Sequence, residues 1–486
     1  MWYGVSSIAA RFLSYLLTPY LTGALAAPAY GEMNLVYALI PFLNVIFMYG
    51  LETAYFRFVQ KKGNEQAVYN TITISLIIST IAFTALLLLF KNFFAEVISL
   101  KNHPEYITYS AAIIAFDALS TIAFARLRQE GRPVKYAMTK VAGILVYIGL
   151  TVFFLSVCPA LVKKDPNGFI SIIYDRKKEV SYIFIANVAQ AVVTFLLLSK
   201  EFFRFRWHFN APLWKEIIIY SLPLTIAGFG GMINETFDRI MLGWWSTAKD
   251  PKVEIGIYSG CYKLAILISL FIQAFRLGAE PFFFKQAEGE NAQKTYARVM
   301  KFFVLTVCFM FLVVALYIDI WKYFLSKPIY WTGLKVVPIL LLANIFLGIY
   351  YNLTIWYKVT HKTMAGAWVT LVGAFITLVI NYLFIPKYGY MACAWATFFC
   401  YGSMMVISFM WGQKEYYIPY AWKKLLAYIA IVVILYFIHK LFQGIGLNVW
   451  ANRGFAAILI LAFGWFVLNI EKKEFQRLPY IGRFLK

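Results

Sequence analysis

Charged side chains are scarce in this chain, and acidic ones are scarcer than basic ones. Asp, Glu, Lys and Arg make up 14% of the 486 residues, against about 25% in an average soluble domain. The 45 basic and 23 acidic residues give a formal net charge of +22. The basic residues are scattered between apolar segments and form no separate basic domain, so we expect no nucleic-acid partner.

Cysteine and histidine are also rare, and neither is arranged as metal or redox chemistry requires. All five cysteines lie in apolar segments, and no two form a Cys-x-x-Cys pair, which argues against a zinc site and a disulfide framework. The four histidines stand singly in predicted loops. No nucleophile elbow, zinc-protease, P-loop or dinucleotide-binding motif occurs in a supporting context. We therefore expect no enzyme activity, no metal and no cofactor.

Long apolar runs, by contrast, fill most of the sequence. Hydrophobic residues make up 62% of the chain, against about 45–50% in soluble proteins. Runs of about 20 residues, long enough for one helix across a bilayer, occur fourteen times. We predict an all-α membrane protein with spans at 5–22, 35–56, 71–90, 107–125, 137–160, 181–199, 216–242, 256–284, 299–319, 335–357, 364–385, 389–411, 422–439 and 454–470.

Lysine and arginine are unevenly divided between alternate loops. With the N-terminus in the cytoplasm, 26 of them lie in or beside the inner loops and the tail, and 15 lie in or beside the outer loops. Cytoplasmic loops carry the excess of positive charge, so we predict that both termini are cytoplasmic. The longest loop, 161–180, is then outside. It is too short for a soluble domain, so we place the function in the membrane part.

Two segments of the chain are similar at a spacing of about 225 residues. The aligned positions are Gly31 with Gly256, Asn34 with Ser259, Tyr37 with Tyr262 and Asn44 with Ser269. Six spans separate the copies, an even number, which predicts two lobes of the same topology related by an axis along the membrane normal. We predict pseudo-symmetric six-helix lobes around a central cavity at 1–205 and 206–412, followed by a C-terminal helix pair and cytoplasmic tail at 413–486.

Ionisable residues inside the spans mark the candidate site, because such groups normally face a partner or a wet cavity. On the helix predicted over 256–284, six residues form a polar stripe about 140° wide: Ser259, Lys263, Ser269, Gln273, Arg276 and Glu280. The candidate bases for binding an anion are Arg11, Arg57, Arg239, Lys263 and Arg276. The candidate coupling-ion or ion-pair acids are Glu52, Asp117, Glu235, Asp238 and Glu280.

Two interpretations of these charges stay open. Glu235 with Arg239, and Arg276 with Glu280, have the i,i+4 spacing of ion pairs that only hold a helix together. Arg11 has no local acid, nor has Lys263, and an unpaired base beside Ser or Thr suits a phosphate or diphosphate. Asp117 is isolated as well, so either proton or cation coupling or a partner on another helix would explain it.

With these features the chain resembles the polysaccharide-flippase branch of the multidrug/oligosaccharidyl-lipid/polysaccharide (MOP) exporter superfamily. The resemblance covers about 1–412 and rests on motifs of moderate specificity. They are the sequences GLETAYFR at 50–57, GRP at 131–133, DRIML at 238–242 and GIYS at 256–259.

The resemblance implies two lobes around a V-shaped cavity whose cationic wall binds the diphosphate of an undecaprenyl carrier. The implied function is alternating-access translocation of an undecaprenyl-diphosphate-linked oligosaccharide from the inner to the outer leaflet of the bacterial cytoplasmic membrane. Such a flippase serves the assembly of O-antigen, capsule or exopolysaccharide. Its expected partners are the lipid-linked glycan and membrane lipids. A polysaccharide polymerase as a further partner, and H⁺ or Na⁺ as a coupling ion, stay open.

Three alternative functions remain at this point. Fourteen spans are also typical of the lipid II flippase, which keeps a peptidoglycan precursor open as the substrate. A cation-coupled multidrug exporter would need a predominantly acidic cavity, and the candidate residues include as many bases as acids. A membrane glycosyltransferase or ligase would need a large outer loop or an acidic catalytic loop, and the sequence has neither.

Overall fold

A computed structural model describes residues 2–60, 65–286, 289, 291–362, 364–446 and 448–476, without the side chains of 2–7, 280, 281 and 284. Every regular element in this part of the chain is helical. The long helices, numbered in chain order, are α1 Trp2–Ala24, α2 Ala27–Met48, α3 Glu65–Leu89, α4 Glu105–Gln129, α5 Pro133–Val152, α6 Glu179–Phe202, α7 Ala211–Trp245, α8 Pro251–Gln286, α9 Ala292–Leu316, α10 Val337–Leu353, α11 Met364–Tyr388, α12 Tyr390–Glu415, α13 Trp422–Gly444 and α14 Val449–Ile470. Two short helices, Leu51–Val59 and Ile355–Val359, extend α2 and α10.

Thirteen helical segments of the described chain are long and apolar enough to cross a membrane. They correspond in order to the second to fourteenth predicted spans, which confirms the prediction of an all-α membrane protein. The first predicted span coincides with α1, which has 23 residues. α1 is long enough to cross a bilayer, but Arg11 and several hydroxyl side chains lower its hydropathy below that of the other thirteen.

The loop predicted at 161–180 is partly helical. α5 continues through a π-helical turn, Phe153–Val157, into the short helix Cys158–Lys164. The ring of Phe154 stacks on Tyr182 of α6 with 5.0 Å between the ring centroids. This contact holds the beginning of the loop against the bundle.

Helix packing repeats itself after six helices. α4 and α5 both pack against α6, as α10 and α11 both pack against α12. α2 packs against α4 as α8 packs against α10, and α1 packs against α5 as α7 packs against α11. Between the two halves, α1 packs against α8 as α7 packs against α2. The same arrangement of six helices therefore occurs twice, and the two halves meet through equivalent pairs.

α2 and α8 cross in direct contact near their first turns. A Cβ atom on Gly31 would lie 1.9 Å from the carbonyl oxygen of Lys252, and one on Gly256 would lie 2.3 Å from that of Ala27. A side chain fits at neither position, so this crossing requires glycine in both helices. Gly31 and Gly256 are also aligned with each other by the internal repeat, so equivalent points of the two halves touch.

Polar contacts join the two halves at the same end of the bundle. Lys252 Nζ lies 2.5 Å from Glu32 Oε1. Lys327 Nζ, beyond α9, donates a hydrogen bond to the carbonyl oxygen of Leu25 at 2.6 Å. We call this end, which contains the α1–α2 and α7–α8 turns, the closed end; in the predicted topology it is the outer end.

The C-terminal helix pair docks onto α9. At one end of α9, Arg453 Nε lies 2.8 Å from Asp319 Oδ2. At the other end, the buried carboxylate of Glu471 lies 2.8 Å from both Lys301 Nζ and Lys424 Nζ. α13 and α14 are therefore fastened to the second half of the bundle by an ion pair at each end.

Candidate functional site

A cavity of about 690 Å³ lies in the second half of the bundle, lined by α1, α7, α8, α10, α11 and α12. It extends from the middle of the bundle, at Tyr262 and Tyr401, to the end opposite the closed end, at Ile8 and Lys358. We call the part around Tyr262 and Tyr401 the deep half, and the part around Ile8 and Lys358 the mouth. The volume falls within the range of about 300–1,000 Å³ that is usual for ligand pockets.

Three cations line the mouth of this cavity: Arg11, Arg276 and Lys358. Arg11 Nη1 donates a hydrogen bond to Gln273 Oε1, which ties α1 to α8. The guanidinium carbon of Arg276 lies 4.1 Å from the centre of the Tyr351 ring. Among the described lining residues, Glu235 is the single acid, so this described part of the lining carries more basic than acidic groups.

The carboxylate of Glu235 is exposed to the cavity, where it interacts electrostatically with Tyr262 and Tyr401 of the deep half and with Tyr351 towards the mouth. Within the described chain, no hydrogen bond or ion pair reaches this carboxylate. The amides nearby are already engaged: Asn344 Oδ1 accepts from Ser269 Oγ at 2.7 Å, and Asn234 Nδ2 donates to the carbonyl oxygen of Thr370 at 3.1 Å. Glu235 therefore provides unused hydrogen-bonding capacity in the deep half.

The polar stripe predicted on α8 divides between two surfaces. Ser269, Gln273 and Arg276 line the cavity, together with Tyr262. Lys263 follows Tyr262 at 100° around the helix and is not among the lining residues. It is half-buried and makes no hydrogen bond, ion pair or ring contact with the described residues.

Arg239 and Asp238 form a buried pair outside the cavity. Arg239 Nη1 lies 2.9 Å from Asp238 Oδ1 and donates at 2.9 Å to the main-chain carbonyl oxygen of Glu235. The Tyr258 hydroxyl donates to Asp238 Oδ2 at 2.6 Å. The predicted side-chain pairing of Glu235 with Arg239 is therefore absent from this described region, because Asp238 is held in place as the nearer acceptor.

The remaining candidates lie elsewhere. Arg57 is exposed, and its guanidinium lies 4.3 Å from the centre of the Tyr220 ring on α7. Glu52 accepts a hydrogen bond from Arg128 Nη2. Asp117 is half-buried on α4 and interacts electrostatically with Lys140 on α5. The side chain of Glu280, and with it the predicted pairing of Glu280 with Arg276, lies outside the described residues.

The cavity does not lie between α2 and α8, the helices that carry the two similar segments, although the sequence predicted a central cavity between the two lobes. α2 and α8 touch at Gly31 and Gly256. The Thr236 hydroxyl on α7 lies 3.2 Å from the carbonyl oxygen of Ala38 on α2. These contacts bring α2 against α7 and α8, and α2 to α6 contribute no residue to the lining described above.

Several lining residues were missed by sequence reasoning. They are Lys358, Asn344, Tyr350, Tyr351, Tyr357 and Tyr401. Asn344 offered a signal, since it is an amide within an apolar span. Lys358 directly follows the predicted tenth span, so the sequence assigns it to a loop. Its position in the cavity lining depends on how α10 and its extension pack.

No group of three or more His, Cys, Asp or Glu residues is placed to hold a metal ion in the part of the chain that the structure describes. The chemistry of the cavity is therefore that of its charges, hydroxyls and amides. It offers cationic donors at the mouth for an anion, and polar groups in the deep half for a neutral, hydroxyl-rich group.

Comparisons with known proteins relate the sequence to one family. A family model described as "Polysaccharide biosynthesis protein" matches residues 1–285. An uncharacterized membrane protein of Haemophilus influenzae is 22% identical over 366 residues, which cover 74% of this chain and 82% of that protein.

Solved structures share the fold. The lipid II flippase MurJ in an inward closed conformation has a TM-score of 0.69 at 12% identity, covering 96% of this chain and 98% of its own. An inward-facing multidrug resistance MATE family transporter of the MOP superfamily has a TM-score of 0.65 at 14% identity, covering 87% and 96%. An outward-facing transporter of that description has a TM-score of 0.58 at 14% identity, covering 88% and 94%.

Proposed function

We propose, since this chain belongs to the family of polysaccharide biosynthesis proteins, that it is a flippase for an undecaprenyl-diphosphate-linked oligosaccharide used in surface polysaccharide assembly. The observation that carries this proposal is the cavity, whose mouth bears Arg11, Arg276 and Lys358. Guanidinium groups bind phosphate oxygens through charge-assisted hydrogen bonds. Cations at a cavity mouth therefore suit a diphosphate.

The size of the cavity supports a division of the substrate between protein and lipid. About 690 Å³ accommodates a ligand of drug-like size, which corresponds to a diphosphate with a few sugars. A polyprenyl chain is apolar and can stay in the bilayer at no hydrophobic cost. We therefore propose that the protein encloses the polar headgroup and leaves the lipid tail in the membrane.

We propose that the protein lies in the bacterial cytoplasmic membrane with both termini inside, as the distribution of Lys and Arg favours. The mouth then faces the cytoplasm, from which the glycan is collected. We further propose two lobes at 1–205 and 206–412 and a separate C-terminal pair at 413–486. The repeated packing of six helices and the contact of Gly31 with Gly256 support this division.

The site residues divide into two groups in this proposal. Arg11 and Arg276 bind the anion directly. Arg57, Arg239, Glu52 and Asp238 are not among the residues that line the cavity; they contact neighbouring side chains and hold helices in place. Lys263 lies about 20 Å from Arg276 along α8. We assign Lys263 to a later stage of transport, when the closed end opens.

A lipid II flippase is the second candidate, because MurJ shares the fold over 96% of this chain and the C-terminal helix pair is present here. Depletion of the protein distinguishes the two candidates. Cell lysis indicates a peptidoglycan precursor, and loss of a surface glycan without lysis indicates a surface polysaccharide. A cation-exporting cavity would carry mainly acids, whereas this one has three bases and one acid among its described lining residues.

Removing the positive charge of an arginine at the mouth tests the proposed function. We expect Arg276→Gln and Arg11→Gln each to reduce glycan export by about tenfold or more, because each removes a charge-assisted bond to phosphate. Export is measured as surface glycan in a deletion strain that expresses each variant at equal level. Lys440→Gln, an exposed cation on α13 far from the cavity, is the matched control and should export normally. Normal export by both arginine variants would refute the anion-binding mouth.

A further inference from the structure

The two parts of the cavity differ in chemistry, although they belong to one space. Arg11, Arg276 and Lys358 lie at the mouth, whereas the acid Glu235 lies in the deep half. Tyr262 and Arg276 are separated by about 20 Å along α8, so a single small group cannot occupy both parts. A ligand that fills the cavity therefore needs an anionic end and a different, hydrogen-bonding end.

The unused polar groups define what the second end must be. The Glu235 carboxylate can only accept hydrogen bonds, and no described residue donates to it. Gln273 Oε1 is occupied by Arg11, which leaves its Nε2 as a donor. The Tyr351 hydroxyl, which can donate and accept, makes no hydrogen bond to a described residue and is influenced by the charges of Arg276, Glu235 and Arg11.

This combination fits a sugar better than a cation or an apolar group. Each sugar hydroxyl can donate a hydrogen bond to a carboxylate and accept one from an amide N–H. A sugar would therefore use the Glu235 carboxylate, the Gln273 amide N–H and the Tyr351 hydroxyl. A ligand cation would meet Glu235, but it would also be repelled by the three cations of the mouth. An apolar group would leave the carboxylate desolvated and unpaired.

We infer that the space between the mouth cations and the deep half is a sugar-binding subsite, in which Gln273 and Tyr351, beside Arg276, and Glu235, further in, bind the first sugar of the lipid-linked glycan. This inference rests on the proposed function, which places the diphosphate at Arg11 and Arg276. The diphosphate then remains at the depth of the membrane surface, while the sugars reach towards the middle of the bundle. Arg276, stacked on the Tyr351 ring at 4.1 Å, connects the two subsites.

Glu235 is available for sugar binding because the counter-charge of Arg239 is Asp238 and not Glu235. Arg239, one turn further along α7, pairs with Asp238 and takes only the main-chain carbonyl oxygen of Glu235. A carboxylate serving only to hold helices together in a membrane would be paired itself. The buried Asp238–Arg239 pair thus leaves the Glu235 charge directed to the ligand.

The test uses the purified full-length protein in lipid nanodiscs and two probes. One probe is undecaprenyl diphosphate, and the other is the same carrier bearing a single N-acetylglucosamine. We expect the wild type to bind the glycosylated carrier about tenfold or more tightly than the bare one. Glu235→Gln should reduce that preference about tenfold, since a hydrogen bond to a charged group is lost, and should bind the bare carrier as before.

Three further variants distinguish effects on the sugar subsite from effects on the diphosphate site. Tyr351→Phe should lower the preference by a smaller factor, and it tests the subsite independently if Glu235→Gln does not fold. Arg276→Gln should weaken both probes equally. Glu65→Gln, an exposed acid outside the cavity, is the matched control and should change neither affinity.

The results that overturn the inference are distinct from those that overturn the proposed function. If Glu235→Gln and Tyr351→Phe both keep the wild-type preference, the sugar subsite is refuted while the flippase proposal stands. If the wild type binds neither carrier, both are refuted. If ethidium, as a lipophilic cation, binds and Glu235→Gln abolishes that binding, the deep half is a cation site.

Discussion

Arg239 and Arg276 carry the same guanidinium group in different surroundings. Arg239 is 8% exposed and is fixed by Asp238 and by the Glu235 carbonyl oxygen. Arg276 is half-buried, lines the cavity and stacks on Tyr351. A charge whose bonds are all within the protein stabilises the fold, whereas one that borders a cavity can meet a ligand.

This difference predicts separate phenotypes for the two kinds of charge. We expect Asp238→Asn to lower the free energy of unfolding by about 3–5 kcal/mol, because it leaves the buried Arg239 without its counter-charge. Thermal denaturation of the purified protein measures this loss, and affinity of the folded fraction for the carrier should not change. Tyr258→Phe, which removes only the 2.6 Å hydrogen bond to Asp238, should cost about 1–3 kcal/mol. A stable Asp238→Asn protein that fails to bind the carrier would contradict a structural role.

Helix α8 combines two tasks along its length. Near its first turn, Gly256 allows the close crossing with α2. Further along, Tyr262, Ser269, Gln273 and Arg276 line the cavity. Because one continuous helix carries both features, a change in its tilt moves the closed end and the cavity wall together. In the proposed cycle, α8 would therefore couple closure at one end to access at the other.

The C-terminal pair depends on one carboxylate beyond α14. Glu471 receives hydrogen bonds from Lys301 of α9 and from Lys424 and Tyr428 of α13, at 2.6–2.8 Å. Burial alone would raise the pKa of Glu471. The hydrogen bonds from the two lysines and the tyrosine outweigh it and lower that pKa from its ordinary 4.5 to about 2.

This pKa predicts how docking of the pair depends on pH. A carboxyl group with a lowered folded-state pKa contributes stability above its unfolded pKa and loses it as pH falls through the folded value. We therefore expect the contribution to be complete above about pH 4.5 and to vanish as pH approaches about 2. Limited proteolysis of the α12–α13 connection, residues 416–421, between pH 7 and pH 3 measures this loss of docking. Glu471→Gln should expose this connection already at pH 7, and protection equal to that of the wild type would count against the docking role.

At the scale of the whole molecule, the two halves meet at the closed end, and the cavity of the second half extends to the opposite end. In the proposed cycle, the α2–α8 crossing at Gly31 and Gly256 must separate before the substrate can leave. The ion pair of Glu32 with Lys252 must break in the same step.

A cross-link across the closed end tests that cycle. We expect Glu32→Cys with Lys252→Cys, joined by a short cleavable bis-thiol reagent, to stop carrier translocation in proteoliposomes, because the two halves can no longer part. Cleavage of the reagent should restore translocation. The control is Lys362→Cys with Glu415→Cys, a contacting pair within the second half, whose cross-link should be harmless. Translocation that continues through the cross-linked closed end would exclude separation at this crossing.

The sequence by itself determined the class of protein and its helices. Apolar runs about 20 residues long admit only helices in a bilayer, because each backbone group must be bonded within its own segment. The sequence also contained the internal repeat. Its aligned residues Gly31 and Gly256 lie at the crossing of α2 and α8. Periodicity along α8 correctly placed Ser269, Gln273 and Arg276 on one face.

Only the tertiary structure decided where that face is directed and which charges have partners. Helical periodicity gives the angle of a side chain around its own axis but not the neighbour it meets. The i,i+4 spacing thus suggested Glu235 for Arg239, while the Tyr258 hydroxyl from α8 fixed Asp238 as the acceptor. For the same physical reason, the sequence did not predict that the cavity is lined by α1, α7, α8 and α10–α12. The approach of α2 to α8 depends on contacts between residues 220 or more positions apart, which no local pattern encodes.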